Sequence, residues 1–349
     1  MPSILAERLA DRVDAVIGVD THTDTHTAAV VTAVGTVLAE LTVPATAEGA
    51  AMLLAWADER TAPIGTGRQA WAIDGTRAHG IGLTRALNAA GRSVLEAPKP
   101  AATVRRRGGK SDALDAIHAA RAVLAADHQA TPRADGARED LRILHVCRRH
   151  YTDIRTATVN LFKSLTLTAD DDLRERFRGQ STIRQVRHAA VLTGHDHVRH
   201  AHLAALAGQI LELDRLLTKN LAQLRALVKT LCPTLLEQPG IGPVTAAVAL
   251  AAWSHPGRLR NEAAFAALAG VNPIPASSGR TTRHRLNRGG DRTLNSAIHT
   301  IATARQRCHQ PTKDYVTRRT TEGRTPREIT RTLKRYIARQ IWRIIEATA

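Results

Sequence analysis

Hydrophobic and polar positions follow two rhythms along this chain, and the change falls near residue 127. Over the first 126 residues, short β-branched runs separate stretches of helical spacing. "VDAVIGVD" (13–20) is apolar almost throughout, which predicts a buried central strand. "THTAAVVTAVGTVLAELTVPAT" (25–46) predicts two further strands turning at Gly35. Helical spacing follows at 47–60 and again at 79–91, where Gly91 closes the helix. Strands are predicted over 68–74 and 93–98, and a strong helix over 110–126. Residues 127–136, "DHQATPRADG", read as a linker, and beyond it the chain is mainly helical.

From Leu203, apolar residues recur at Leu206, Ile210, Leu213, Leu217, Leu224, Leu227 and Leu231. Steps of three and four predict a coiled-coil seam, with Asn220 standing where a leucine is expected. An amphipathic helix packing within its own chain fits the same spacing. A third region opens near Pro233. There "LEQPGIGPVTAAVALAAW" (236–253) predicts helix, glycine-rich turn, helix, similar to a helix-hairpin-helix element. The backbone N–H groups of such a turn, at Gly240 and Gly242, can hold phosphate without reading sequence. The terminal "TPREITRTLKRYIARQIWRIIEATA" predicts a basic amphipathic helix with Ile329, Leu333, Tyr336, Ile337 and Ile341 near one face. The boundaries are therefore an α/β domain over 1–126, a helical linker over 127–232 and a mainly α domain over 233–349. Three strands, helix, strand, helix, strand, helix is the ribonuclease-H-like order, although order alone does not fix topology.

Charge sharpens this picture. The 349 residues carry a net charge of +17, so a polyanionic partner is the leading expectation. Residues 1–100 hold 8 Lys+Arg against 11 Asp+Glu, whereas residues 270–349 hold 17 against 5. An acidic front and a basic back point to a metal-binding head and a nucleic-acid-gripping tail. Cys147, Cys232 and Cys308 lie far apart with no CxxC pair, which argues against a disulfide framework or zinc knuckle and suits a reducing cytoplasm. No apolar run reaches the roughly 18–20 residues of a membrane span. The opening "MPSILAERLADRVD" is too polar and acidic for a signal peptide. At 3% aromatics, a stacking platform for single strands is disfavoured.

Candidate chemistry gathers at two places. Asp20 ends the first predicted strand and Asp74 the fourth, while Asp112 and Asp115 share a face of the helix after the fifth. In a ribonuclease-H-like sheet these positions converge at one edge, where oxygen ligands would select Mg²⁺ or Mn²⁺. Asp112 as a mere helix cap is the bland alternative. A rival reading takes Asp20, His22, Asp24 and His26 as one strand face binding zinc, which requires that the segment not turn before His26. The second place is "PIPASSGRTTRHRLNRGGDRTLNSAIH" (273–299), where Ser277, Ser278 and Gly279 adjoin Arg280, Arg283, Arg285, Arg288 and Arg292 against one acid, Asp291. A turn serine bonding its own backbone is the alternative to a nucleophile there.

Taken together, "IGVDTHTDTHTAAVV", "AIDGT", "GKSDALDAIHAARAV", "PGIGPVTAAVALA", "AAFAALAGVNPIPASSGRTTRHRLNRGGDRTLNSAIH" and "YVTRRTTEGRTPREITRTLKRYIAR" resemble the insertion-sequence-110 family of bacterial transposases, the bridge-RNA-guided recombinases. The resemblance spans nearly the whole chain. It implies an α/β ribonuclease-H-like (RuvC-like) domain with a DEDD carboxylate set, a coiled-coil linker, and a transposase domain with a nucleophilic serine. The carboxylates carry over to Asp20, Asp74, Asp112 and Asp115, and the serine to Ser278, with Ser277 the neighbouring register. Asp74 stands where the family usually has Glu, and Thr23 where many relatives have Lys.

Also implied are Mg²⁺ or Mn²⁺, a 5′-phosphoserine intermediate, donor and target DNA, and a noncoding bridge RNA. A homo-oligomer, a dimer that becomes a tetramer on DNA, and a cytoplasmic, nucleoid-associated setting follow likewise. Gly279 would let the backbone approach DNA, while Arg280, Arg283 and Arg285 would hold phosphate oxygens. Two other functions compete: a RuvC-like structure-selective nuclease using water, and a non-catalytic nucleic-acid-binding protein.

Overall fold

The computed structural model describes residues 8–98, 111–192, 197–276 and 284–349. The chain divides into two compact units, Met1–Arg133 and Ala134–Ala349. The first is mixed α/β and the second mostly helical.

In the first unit a short helix α1 (Leu9–Arg12) precedes a five-stranded mixed sheet. Its strands are β1 (Ala15–Thr21), β2 (Thr25–Thr32), β3 (Val37–Pro44), β4 (Gln69–Ile73) and β5 (Ser93–Glu96), in the order β3-β2-β1-β4-β5. β1 to β3 form an antiparallel meander, and β1, β4 and β5 run parallel. Central β1 is buried along its whole length, as its unbroken apolar run requires, whereas edge strand β3 alternates. The predicted turn lies at Gly35, whose φ of 91° suits glycine.

Helices α2 (Ala47–Thr61) and α3 (Ile81–Ala89) cover one face of the sheet, where Leu53 and Leu87 meet Ile17, Val19 and Trp71. Helix α4 (Asp112–Leu124) covers the other, where Val16, Ala70 and Ala72 meet Ala120 and Val123. The intervening Gly18 makes this second packing close. A Cβ built there would stand 1.9 Å from the Ala116 carbonyl oxygen. The strand therefore carries no side chain where the helix crosses it, and Asp20, two residues on, lies on the same face. Within the predicted linker, Ala130 bridges to Glu96, and Gln129 Oε1 accepts a hydrogen bond from Arg12.

The second unit begins with α5 (Ala137–Leu167), then α6 (Asp171–Phe177), α7 (Thr182–Ala189) and the long α8 (Val198–Leu231). α5 and α8 are antiparallel partners: Asn220 Nδ2 donates to the Leu144 carbonyl at 2.8 Å, Arg148 to Leu217 O, and Arg155 pairs with Asp214. The heptad seam thus packs within its own chain, burying Leu203, Ile210, Leu213, Asn220 and Leu224. Leu206, Leu217 and Leu227 are only half-buried, and Leu231 is exposed.

The remainder is α9 (Pro243–Trp253), α10 (Glu262–Leu268), the strand pair β6 (Ile274–Pro275) and β7 (His284–Arg285), α11 (Arg292–Cys308), α12 (Gln310–Thr321) and α13 (Pro326–Thr348). Small residues let α9 bury every side of its last two turns in a core shared with α5, α8, α11 and α13. α13 opens with a Thr325–Glu328 capping box and buries Ile329, Leu333, Ile337 and Ile341 as expected. Tyr336 departs from the expected apolar face. It is 51% exposed and meets Tyr315 edge-on at the rim. The predicted helix-turn-helix over 236–253 also differs, because its first arm is a 3-10 turn (Pro233–Leu235) followed by turn residues. Among the described residues no helix is long and apolar enough to cross a membrane.

Candidate functional site

β1 delivers Asp20 to the sheet edge, and the chain then turns at once. His22 N–H donates to Thr25 O, and Thr21 pairs with His26 across the hairpin. Asp20 and His26 consequently lie on opposite faces, so the zinc reading of Asp20, His22, Asp24 and His26 as one strand face does not survive. His26 is buried, and burial holds its imidazole pKa below the usual value, helped by the nearby His22 and His79. His22, in contrast, swings back over Asp20. Its Nε2 lies 3.0 Å from Asp20 Oδ2 and 3.4 Å from Asp112 Oδ1.

Asp112 is brought there by α4. Ser111 caps that helix, its Oγ accepting from Leu114 N at 3.3 Å. Capping by Ser111 frees Asp112 from the role that was its bland alternative. Asp20, His22 and Asp112 form a group whose ligand atoms all lie within 4.8 Å of one another, and no other such group of three exists among the described residues. Asp115 and Asp74 lie outside it. Asp115, one turn further along α4, is close enough to act electrostatically on Asp20. Asp74 is exposed just beyond β4, held through its main chain, which accepts a 2.7 Å hydrogen bond from Thr21 Oγ1. Strand alternation puts Asp74 on the α4 face with Ala70 and Ala72. Beside it opens a cavity of about 490 Å³ lined by Thr76, Arg77, Glu96 and His128 among others.

Burial pushes the Asp20 carboxyl above the usual carboxylate range. His22 opposes the shift, and the negative charges of Asp115 and Asp112 add to it. A half-desolvated carboxylate facing two others is stabilised by a cation. Two hard oxygen donors and one imidazole nitrogen are compatible with a divalent ion.

In the second unit Ser277, Ser278, Gly279, Arg280 and Arg283 lie outside the described residues. The flanking β6–β7 pair, with Ile274 opposite Arg285, brackets them in sequence. Arg285 and Arg288 are exposed. The base of this stretch is tightly built: Gly270 (φ 62°) and Gly290 (φ 87°) approach too closely for any Cβ. Asn295 donates to Ala269 O, and Lys334 Nζ donates to Asn295 Oδ1. Asp291, the one acid among the arginines, caps α11 through Thr293 and Leu294 N–H. At the glycine turn, Gly240 (φ 75°) packs against Ile301 and Arg305 of α11, and Arg305 Nε donates to Pro239 O. The Gly242 N–H is already engaged by Thr245 Oγ1 at 3.1 Å.

The sequence did not mark Gly18 as a packing site, and it offered His22 only as a zinc ligand on one strand face with Asp20, Asp24 and His26, not as a partner of Asp112. A glycine inside a β-branched strand was the available signal for the first. For the second there was only the hairpin turn.

Two family models match the chain. Residues 17–168 match the transposase model DEDD_Tnp_IS110, and residues 232–317 match the model described as Transposase IS116/IS110/IS902 family. No curated protein matches it. The first match covers β1 from Ile17, α4 and hence Asp20, His22, Asp74, Asp112 and Asp115; the second covers the glycine turn and the serine–arginine stretch. On these two matches the chain belongs to the IS110 family of transposases and is an enzyme that acts on DNA.

Proposed function

We propose that this transposase cuts and rejoins DNA strands through a covalent serine intermediate, with Ser278 as nucleophile and Mg²⁺ or Mn²⁺ held at the acid edge. The observation that carries the reading is the convergence of Asp20, His22 and Asp112 at the edge of a sheet in a chain of this family. The order β3-β2-β1-β4-β5, antiparallel then parallel, supports a ribonuclease-H-like (RuvC-like) fold for the first domain. We divide the chain into that domain (1–126), a helical linker (127–232) and a transposase domain (233–349).

Asp20 and Asp112, with Asp74 and Asp115 completing the set, hold the cation. When bound, the ion supplies Lewis-acid polarisation of a phosphate oxygen. Ser278 Oγ attacks the phosphorus and forms a P–O bond as the bond to the 3′ oxygen breaks. The serine proton ends on the departing 3′-OH. The 5′-phosphoserine keeps the diester linkage available for rejoining without hydrolysis. Arg280, Arg283, Arg285 and Arg288 neutralise the strand's phosphates, with Gly279 giving close approach and the turn at Gly240 contacting backbone, the Gly242 N–H being taken by Thr245. A noncoding bridge RNA selects donor and target DNA, and protomers of a homo-oligomer share the site; net positive charge with few aromatics supports backbone gripping over base reading.

The test is incubation of protein, RNA, DNA and Mg²⁺ followed by a denaturing gel. A protein–DNA adduct should form, and both Ser278→Ala and Asp112→Ala should abolish it. Full strand cleavage by Ser278→Ala, with loss in Asp112→Ala, would establish a water-using nuclease instead.

A further inference from the structure

A four-carboxylate site would be an all-oxygen site, and the geometry at the β1–β2 hairpin departs from that. One nitrogen, His22 Nε2, faces carboxylate oxygens from two different elements, at 3.0 Å (Asp20) and 3.4 Å (Asp112). A single N–H cannot point well at both. The same separations are those of neighbouring donors around one small ion. Donors about 2.1 Å from a metal lie about 3.0 Å apart at right angles and about 3.4 Å apart at tetrahedral angles.

The turn that presents His22 is tied down. Its main chain is closed by the His22–Thr25 hydrogen bond, Asp24 O accepts from Ala45 N, and Thr23 Oγ1 lies 3.5 Å from His79 Nδ1. His22 itself is half-exposed, and its contacts here are polar ones, a hydrogen bond with Asp20 Oδ2 and an approach to Asp112 Oδ1. Among the described residues it is also the only ion-pair partner of Asp20 and Asp112.

We propose that His22 is a nitrogen ligand to the cation held by Asp20 and Asp112, and that it tilts the site from Mg²⁺ toward first-row transition ions such as Mn²⁺. Imidazole is a borderline donor that suits transition ions, whereas Mg²⁺ prefers oxygen and retains its water. The inference rests on the metal-binding reading above, and the experiment separates the two.

The full-length protein is titrated with Mn²⁺ and with Mg²⁺ by calorimetry, and the Mn²⁺ complex is read by pulsed electron paramagnetic resonance for coupling to ¹⁴N. The wild-type complex should show directly coordinated nitrogen. His22→Ala and His22→Asn should both lose that signal and bind Mn²⁺ about tenfold or more weakly, with Mg²⁺ affinity changed by less than about threefold. Circular dichroism confirms folding, which an exposed turn residue should not disturb. Mn²⁺ binding that depends on Asp112 but lacks ¹⁴N coupling, or keeps it in both His22 variants, overturns the role of His22 and leaves the carboxylate site standing. Binding that Asp112→Asn leaves unchanged overturns the carboxylate site and the His22 proposal with it.

Discussion

Replacing Gly18 with alanine adds one methyl group at the point where α4 crosses β1. The added Cβ would lie 1.9 Å from Ala116 O, 2.9 Å from Ala120 N and 3.0 Å from Ala116 C, all main-chain atoms that no rotamer change can move aside. Ordinary contact begins near 3.4 Å, so strand and helix must separate by about 1.5 Å. Overpacking of this kind costs about 1–3 kcal/mol. Lower chain entropy in the unfolded state offsets only about 0.4–1 kcal/mol of that, since Gly18 has no left-handed backbone to strain. The displaced element is the one that carries Asp112, so its contacts with His22 and Asp20 open as well. A shift of about 1 Å in a positioned group can lower a rate about 100-fold. Urea unfolding followed through the first unit's Trp56 and Trp71, together with the adduct assay, should report lower stability and a disproportionate loss of activity. A Gly18→Ala protein with wild-type midpoint and wild-type adduct yield would refute the claim that this contact sets the site.

Three further outcomes follow from other parts of the chain. Asn220 is buried with its Oδ1 unpartnered, and Leu144 O already belongs to a helix, so Asn220→Leu should raise stability by about 0.5–2 kcal/mol in urea melts. Glu262 receives Arg335 at 2.7 Å and Arg339 at 2.9 Å. Burial pushes its carboxyl up, but hydrogen bonds from Arg339 and Arg335 outweigh this and hold it below its usual value. Its contribution is therefore complete above the unfolded value of about 4.3 and lost as pH falls through the folded one. Glu262→Gln should destabilise by about 1–3 kcal/mol at pH 7 and flatten the acid limb of a melting-temperature profile. Asp20 has the opposite sign. Its raised folded value makes the ionised form unfavourable, so stability declines as pH rises from about 3.9 through that value. In chelator at pH 7, Asp20→Asn should melt higher than wild type, the gap should vanish below about pH 4, and added Mn²⁺ should stabilise only the wild type.

The first unit was largely legible because its elements are short and each has a clear rhythm. β2, β3, β4 and β5 fall within the predicted stretches, β1 runs one residue past its own to Thr21, and the helix expected over 110–126 forms as α4 (Asp112–Leu124). What alternation could not locate is a two-residue turn. Reading "DTHTDTHT" as one strand puts Asp20 and His26 on the same face, whereas the hairpin at Thr23–Asp24 separates them and folds His22 onto Asp20. The seam in α8 was visible, but periodicity specifies a partner face without saying whose, and α5 supplies it. "PGIG" announced a turn without revealing that α11 lies against Gly240. Asp291 could have been read as a cap from its place before "RTLNSAIH".

This chain pairs several of its other acids with cations, and Asp20 differs from them. Asp14 is held by Arg68 and Thr66, and hydrogen bonding from the Arg68 main chain, opposed by burial, lowers its carboxyl pKa. Asp58 meets Arg92 and Gln69, Glu139 meets Arg138 and Arg142, and Glu262 meets Arg335 and Arg339. A protein with 49 Lys+Arg has no shortage of partners for a structural carboxylate. The Asp20 side chain is as buried as that of Asp14, yet among the described residues its only ion-pair partner is a half-exposed histidine, and its charged neighbours include two more acids. Stability alone would place an arginine there or remove the charge. Repulsion held in place by Gly18 on a strand and Ser111 at a helix cap is instead compatible with a site for a divalent ion, which would bring the missing positive charge.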